Sequence, residues 1–374
     1  MDLPRHAEIW LRPYCADRIR RVAGGRPPVR RVWLSITDHW EPFWRGADLA
    51  TASSRVRRWR EMWPRIASQL KDSAGKTPKY SFFYPEEEYH PEFISSLAEM
   101  TREGIADVEV HIHHDGGGRE EFIRRMATYC RRLVEDHGLL RRIEGRIAFG
   151  FIHGNWALNN SRPDGRWCGL NDEIAILRDL GCYADFTMPS GNSPTQARTL
   201  NKIYWCRDDL HKPKSYDQGA AASVGGGMMP QLLMIPGPFG LRWRGRFIPR
   251  METGELAAYD RPTPHRVRRW FDLAPQLGGD LFVKLYSHGT QEANSEVLLN
   301  QDLLNVYRWV ADEAAHVQAE TFFVSAWQMY GAVSALCRGR DPVETAIASD
   351  WISGRDKQSA ETSAVHHQLA RTDR

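Results

Sequence analysis

The sequence predicts an α/β fold in which strands alternate with helices along the chain. In this prediction the strands form a parallel sheet that is closed or nearly closed into a barrel. Two observations predict it: short apolar runs typical of buried strands recur along the chain, and a segment with helical periodicity follows most of them. The chain has 374 residues, of which 42% are hydrophobic, so it is long enough for one large barrel. No internal repeat is visible in the sequence.

Each predicted strand is a short, mostly apolar run that ends at a turn-forming or polar residue. The predicted strands span residues 31–37, 79–84, a run from 107 to the histidines at 111–114, 146–152, 183–188, 231–235, 281–286 and 321–326. Amphipathic spacing predicts helices between them. The predicted helices span residues 55–70, 91–103, 119–137, 171–180, 264–277 and 299–317, with one more after 326.

Two long segments interrupt this alternation. Residues 189–230 and 236–262 are predicted to be loop insertions, and a small hairpin is expected at 202–206. We expect an N-terminal extension over residues 1–30, a barrel over 31–350 and a polar C-terminal tail over 351–374.

Composition narrows the class of protein. The formal net charge is +3, and the arginines are scattered, so nothing indicates a nucleic-acid partner. The six cysteines form no C-x-x-C pair, which favours reduced thiols in a cytoplasmic protein. We expect neither a signal peptide nor a transmembrane segment, because no apolar run is long enough. The sequence gives no oligomeric state.

The most informative motif is the run of three histidines at residues 111–114. In a strand His111 and His113 share one face, and two imidazoles side by side suit a divalent metal. His114 would point to the other face, and Asp115 could orient a ligating imidazole. The alternative is a structural histidine cluster or a solvated loop start.

Other polar residues also follow predicted strands. Because active sites of α/β barrels form from the loops after the strands, we expect these residues to be functional. His288 could protonate a leaving amine, His153 could donate hydrogen bonds to a substrate, and Asp185 could hold another group in place. The Asp38-His39 pair precedes an aromatic segment suited to a sugar ring, although Asp38 could instead cap a turn. The aromatic candidates are Trp40, Phe43, Trp44 and Trp156.

These motifs resemble those of the polysaccharide deacetylase superfamily, the NodB-homology (carbohydrate esterase 4-like) group, across most of residues 31–330. The family's first motif, a strand ending in paired aspartates, corresponds to Asp38-His39. Its two-histidine motif corresponds to residues 109–115 with different spacing, and its leucine-x-histidine motif to residues 285–288 with one extra residue. Its arginine–proline motif has no clear counterpart in this sequence. Residues 151–154 occupy roughly the position of that motif.

The resemblance implies an irregular (β/α)7-type barrel and a metal-dependent deacetylase, a hydrolase of carbon–nitrogen bonds other than peptide bonds. Its substrate would be an N-acetylated sugar or a surface-polysaccharide precursor. A divalent ion, zinc by ligand type, would be held by His111 and His113 together with His39 or Asp38. Asp38 would take the proton of the attacking water, and His288 would give one to the amine. The substrate-binding candidates are Trp40, Trp44, His153, Trp156 and Asp185.

Two alternatives remain open from the sequence. One is a non-catalytic sugar-binding or scaffold protein on a deacetylase-like barrel. The other is an amide hydrolase of the same fold that acts on a small molecule.

Overall fold

The computed structural model describes residues 4–244 and 248–347. Its strands fall at or near each predicted position, and several short ones were not predicted. The strands are β1 (Arg31–His39), β2 (Tyr80–Pro85), β3 (Ala106–Ile112), β4 (Arg141–Ile143), β5 (Arg146–His153), β6 (Cys182–Asp185), β7 (Tyr204–Cys206), β8 (Gly219–Ala221), β9 (Leu233–Met234), β10 (Gly240–Arg244), β11 (Ile248–Glu252), β12 (Glu255–Leu256), β13 (Gln276–Leu277), β14 (Asp280–Ser287) and β15 (Glu320–Phe323).

The helices begin and end at identifiable signals. Asp48 caps α2 by accepting a hydrogen bond from the Thr51 backbone N–H, and Ser325 and Gln328 form a capping box at the start of α9. The helices are α1 (Ala7–Gly24), α2 (Leu49–Ala67), α3 (Pro91–Arg102), α4 (Gly118–Glu135), α5 (Glu173–Leu180), α6 (Pro264–Leu273), α7 (Glu292–Val297), α8 (Leu303–His316), α9 (Ala326–Cys337) and α10 (Pro342–Ile347).

The architecture is mixed α/β with one large, mostly parallel sheet, as the sequence predicts. The strand order is β12-β14-β1-β2-β3-β5-β6-β9-β7-β8, and the strands from β12 to β9 pair in parallel. β15 also pairs in parallel with the first half of β1. Because the strands are parallel, the carboxyl ends of β1, β3, β5 and β14 lie along one edge of the sheet.

Both faces of the sheet are covered, which explains why the strands are apolar along their whole length. One face packs against α2, α3, α4 and α8 in the larger core cluster. The other face packs against α9, whose residues are all buried. The ring of Phe83 in β2 lies 5.7 Å from that of Phe186, which follows β6, so the sheet curls strongly.

The observed strand pairings do not close the sheet into a barrel. Within residues 4–244 and 248–347, no strand pairing joins β9 to β14. Lys284 of β14 contacts the segment after β6, donating hydrogen bonds to the backbone oxygens of Phe186 (2.7 Å) and Met188 (2.9 Å).

Several predicted elements differ from the observed ones. The predicted helix 299–317 begins as a π-helical turn (Leu298–Asp302), which directly follows α7, and continues as α8. The predicted strand 321–326 ends at Phe323, because Ser325 caps α9. The predicted loop 236–262 contains the β10–β11 hairpin, and the expected hairpin at 202–206 is one strand, β7, paired with the more distant β8.

The expected N-terminal extension contains α1, whose Trp10 packs edge-on against Phe239 at 5.4 Å. The expected polar tail, 351–374, lies outside the described residues. Among the described helices, none is both long and apolar enough to cross a membrane.

Candidate metal centres

Five side chains converge at the carboxyl ends of β1, β3 and β14, and we call them the open cluster: His39, Glu41, His111, His113 and His288. His39 is the last residue of β1, and His288 directly follows β14. The histidine rings are close neighbours, with centroid distances of 5.0 Å for His39–His111, 4.6 Å for His111–His113 and 4.7 Å for His39–His288. The sheet therefore gathers residues that are far apart in sequence.

Glu41 is the common member of two possible ligand triads within this cluster. One triad is Glu41, His111 and His113, and the other is His39, Glu41 and His288. Glu41 Oε1 lies 3.4 Å from His111 Nε2 and 3.6 Å from His113 Nε2. Two ligands about 2.1 Å from a tetrahedral ion are about 3.4 Å apart, so these spacings suit a metal such as zinc.

Outer contacts fix the orientation of both imidazoles. His111 Nδ1 donates a hydrogen bond to the Ile152 carbonyl oxygen (2.8 Å), and His113 Nδ1 lies 2.5 Å from Glu87 Oε1. Such contacts leave Nε2 free on each ring, as in carboxylate–histidine–metal arrangements. His111 Nε2 is buried and has no hydrogen-bond partner among the described residues, so a metal would satisfy an otherwise unpaired atom.

The charges in the open cluster also suit metal binding. Burial lowers the pKa of His111 and, together with the neighbouring His288 and His111, holds the pKa of His39 well below its usual value. Burial opposes ionisation of Glu41, but the nearby imidazoles of His111, His288 and His113 lower its pKa. Burial opposes protonation of His113, but its hydrogen bond to Glu87 raises its pKa, so a divalent cation would displace a proton there. The neutral imidazoles of His39 and His111 beside an ionised carboxylate are the protonation states that such a cation requires.

The open cluster adjoins a cavity of about 570 Å³. Trp156 and Tyr286 line this cavity, and their rings lie 5.5 and 5.9 Å from the ring of His39. Glu255 also lines it and lies 4.0 Å from His288 Nδ1. Its wall combines aromatic and polar side chains, which suits a hydroxylated organic ligand. A cavity of about 640 Å³ elsewhere, around Trp205 and Arg207, contains no histidine.

A second group, which we call the closed cluster, consists of His114, His153, Cys168 and Glu173. All four residues are buried, and their potential ligand atoms lie within 4.8 Å of one another. This cluster could hold a metal ion. Burial raises the pKa of Glu173, but the neighbouring His153 and His114 outweigh it and hold the pKa below its ordinary value.

Asp38, predicted to be a base or a metal ligand, is fully buried and has both oxygens occupied. Oδ1 accepts a hydrogen bond from the Gly289 N–H (2.8 Å), and Oδ2 accepts one from the Tyr80 hydroxyl (2.6 Å). Burial raises the pKa of Asp38 to about 6. These contacts connect the end of β1 to the residue after His288, so Asp38 is placed to position that histidine.

The predicted substrate-binding residues fall in different places. Trp156 lines the cavity, whereas Trp40 is fully buried against Phe82 and Tyr84. Trp44 is half-buried, with the Arg45 guanidinium 4.4 Å from its ring.

The remaining two predicted substrate-binding residues are buried away from the cavity wall. His153 belongs to the closed cluster. Asp185 accepts two hydrogen bonds from Thr187, and burial raises its pKa to about 7. The structure does not bring Asp185 to the cavity.

The prediction omitted four residues with direct roles in the two clusters. Glu41 and Glu87 follow β1 and β2, so the rule that polar residues after strands are functional could have identified them. Cys168 and Glu173 carry no such signal, because Cys168 lies in a loop and Glu173 is the first residue of α5.

Comparison with known proteins gives no assignment: no family model matches the chain, and no curated protein matches it.

Proposed function

We propose that this chain is a metal-dependent hydrolase that removes acyl groups from N-acylated sugars, and that it is a divergent member of the polysaccharide deacetylase superfamily on a barrel-like sheet. The observation that carries the proposal is the open cluster, in which Glu41, His111 and His113 have metal-ligand spacing beside a cavity with aromatic walls. A hydrolase needs such a combination of a cation site and an adjacent substrate cavity.

In this proposal, Glu41 Oε1 and the Nε2 atoms of His111 and His113 hold the ion, with zinc the expected metal. When bound, the ion supplies Lewis-acid polarisation of the amide carbonyl and acidifies water. Glu87 and the Ile152 carbonyl orient the two imidazoles through their Nδ1 atoms.

The other two histidines of the open cluster move protons. His39, which burial keeps neutral, accepts the proton of the attacking water at an imidazole nitrogen. His288 gives a proton to the departing amine, since it is partly exposed beside the cavity-lining Trp156 and Tyr286. Asp38 positions His288 through Gly289 and does not itself transfer a proton.

The cavity wall binds the sugar in this proposal. Trp156 offers an aromatic face next to His39 and His288, and Asn155, Ser190 and Asn192 supply polar groups. Aromatic faces pack against sugar C–H groups while polar side chains bond the hydroxyls.

The test is acetate release from a panel of N-acetylated amino sugars by the metal-loaded protein. We expect activity with at least one of them, and loss of it in a His111→Ala/His113→Ala double variant that has also lost metal. Failure of the protein to bind a divalent metal, or no acetate release from any of these sugars by the metal-loaded protein, would contradict the proposal.

A sugar-binding protein without catalysis is the second candidate. It is favoured by one observation, namely that both oxygens of Asp38, the predicted base, are already hydrogen-bonded. Sugar binding that persists after complete metal removal, without acetate release under any metal, would support this candidate.

A further inference from the structure

We propose that His114, His153, Cys168 and Glu173 form a second metal site, with zinc as its ion, that stabilises the chain and takes no part in the reaction. The site is distinct from the open cluster, although His113 and His114 are adjacent. The proposal does not depend on the substrate or on the chemistry proposed for the open cluster.

The first support is the convergence of three ligand atoms. His114 Nε2 lies 2.8 Å from Glu173 Oε1, His153 Nε2 lies 3.2 Å from the same oxygen, and the two nitrogens are 3.1 Å apart. His153 Nδ1 donates a hydrogen bond to the Gly154 carbonyl oxygen (2.5 Å), which leaves its Nε2 as an acceptor. With both imidazoles neutral, only one proton, on His114 Nε2, is available to these contacts, whereas a cation can be shared by all three atoms.

The second support is the environment of the cysteine. Cys168 Sγ lies 3.3 Å from Glu173 Oε2 and accepts hydrogen bonds from the backbone N–H groups of Asn160 (3.2 Å) and Leu170 (3.5 Å). The thiol donates its hydrogen to Glu173 Oε2, so a cation would take the place of that proton. Backbone donors to a metal-bound sulfur are a regular feature of metal sites.

Burial and donor type indicate a structural zinc site. His153, Cys168 and Glu173 have no exposed surface and His114 is 6% exposed, so no position is open to a substrate. Structural zinc sites are closed by four protein ligands, whereas catalytic sites keep one position free. A thiolate with two imidazoles disfavours magnesium and calcium, which prefer oxygen ligands.

The ligands fix the loop between β5 and α5 at both ends. His153 ends β5, Glu173 begins α5, and Cys168 lies between them, while His114 connects all three to the end of β3. The intervening segment has no regular structure except two short 3-10 helices, Gly154–Trp156 and Leu158–Asn160. This loop carries Trp156 and Trp167 of the cavity wall. The second metal therefore holds one wall of the cavity in place.

Metal analysis and cobalt substitution of the full-length protein test the proposal. We expect about two bound zinc ions per chain. Protein reloaded with Co²⁺ should show thiolate-to-cobalt charge-transfer absorption. This band would report on the closed cluster, because Cys168 belongs to it and the open cluster contains no cysteine.

Variants show which cluster gives the charge-transfer band and which cluster holds each metal. The double variant His111→Ala/His113→Ala should keep the charge-transfer band and lose about one metal. Cys168→His should keep both metals and lose the band, and Cys168→Ala should lose the band and about one metal. Cys130→Ala, which changes a buried cysteine of α4 outside both clusters, should change neither readout.

Absence of the charge-transfer band from cobalt-loaded wild-type protein would overturn the proposal without any variant. So would a band that survives Cys168→His. None of these readouts measures catalysis, so failure of the proposed hydrolase activity and failure of the second metal site are distinguishable.

Discussion

The open and closed clusters start from neighbouring residues but have different surroundings. His113 belongs to the open cluster, and its side chain is 30% exposed, whereas His114 belongs to the closed cluster, and its side chain is 2% exposed. Gly154 permits this close arrangement, because a Cβ atom there would lie 2.3 Å from His113 Cδ2 and 2.6 Å from the Ile112 carbonyl oxygen.

The proposed roles of the two clusters differ because their access to the cavity differs. The open cluster borders a cavity and contains more imidazoles than one ion needs, so some would remain for the proposed proton transfer. The closed cluster offers four donors, all buried, and nothing beyond them. In the two proposals, burial distinguishes a site for chemistry from a site for stability.

The largest expected effect tests the catalytic side of this comparison. His111→Ala/His113→Ala should lower kcat/KM for acetate release on the order of 10³-fold, because the Lewis acid is lost. The free energy of unfolding should change much less than in closed-cluster variants. His265→Ala, at an exposed histidine of α6, is the control and should retain activity. Equal activity in the double variant and the control would remove the open cluster from the reaction.

Removing a carboxylate from each cluster should separate their contributions to stability. Glu173→Ala leaves His114, His153 and the Asn159 N–H without their partner, so we expect a loss of about 3–5 kcal/mol in the free energy of unfolding. Glu41→Ala should cost less, because the open cluster is partly accessible to water. Chemical denaturation measures both values. A larger loss for Glu41→Ala would reverse the proposed division of roles.

The outer contact of His113 offers a finer test of the open cluster. Glu87→Gln should weaken metal binding there by about 10–100-fold, since Glu87 orients the imidazole. Competition with a chelator of known affinity measures this change, and the cobalt–thiolate band should persist. Glu86→Gln is the matched control, because Glu86 pairs with Arg125 instead. A similar loss of affinity in both variants would argue against a specific role for Glu87.

The smallest expected effect concerns the cavity wall. Trp156→Ala should raise KM by about 10-fold with little change in kcat, because an aromatic contact of about 1.4 kcal/mol is lost from the bound sugar. Trp40→Ala should instead lower the thermal unfolding temperature, since that ring is buried in the core. Saturation kinetics and thermal unfolding of the two variants check this contrast, which an unchanged KM in Trp156→Ala would contradict.

The sequence determined the layers of the fold and the edge at which the clusters lie. Apolar runs such as residues 31–37 and 281–286 predict buried parallel strands, because only a strand covered on both faces is apolar throughout. The histidines at the ends of β1, β3, β5 and β14 were identified for the same reason, since parallel strands expose their carboxyl ends along one edge.

The membership of each cluster depends on contacts between segments that are distant in sequence. The contact between His114 and Glu173 spans 59 positions, and no local spacing encodes it. Strand alternation places His111 and His113 on one face, but the partners Glu41 and Glu87 come from the ends of other strands. Asp38 likewise lies near the carboxyl end of its strand, yet its orientation depends on Tyr80 and Gly289, which approach through packing. Periodicity is a local property of the chain, whereas ligand sets and carboxylate orientations depend on contacts between distant segments.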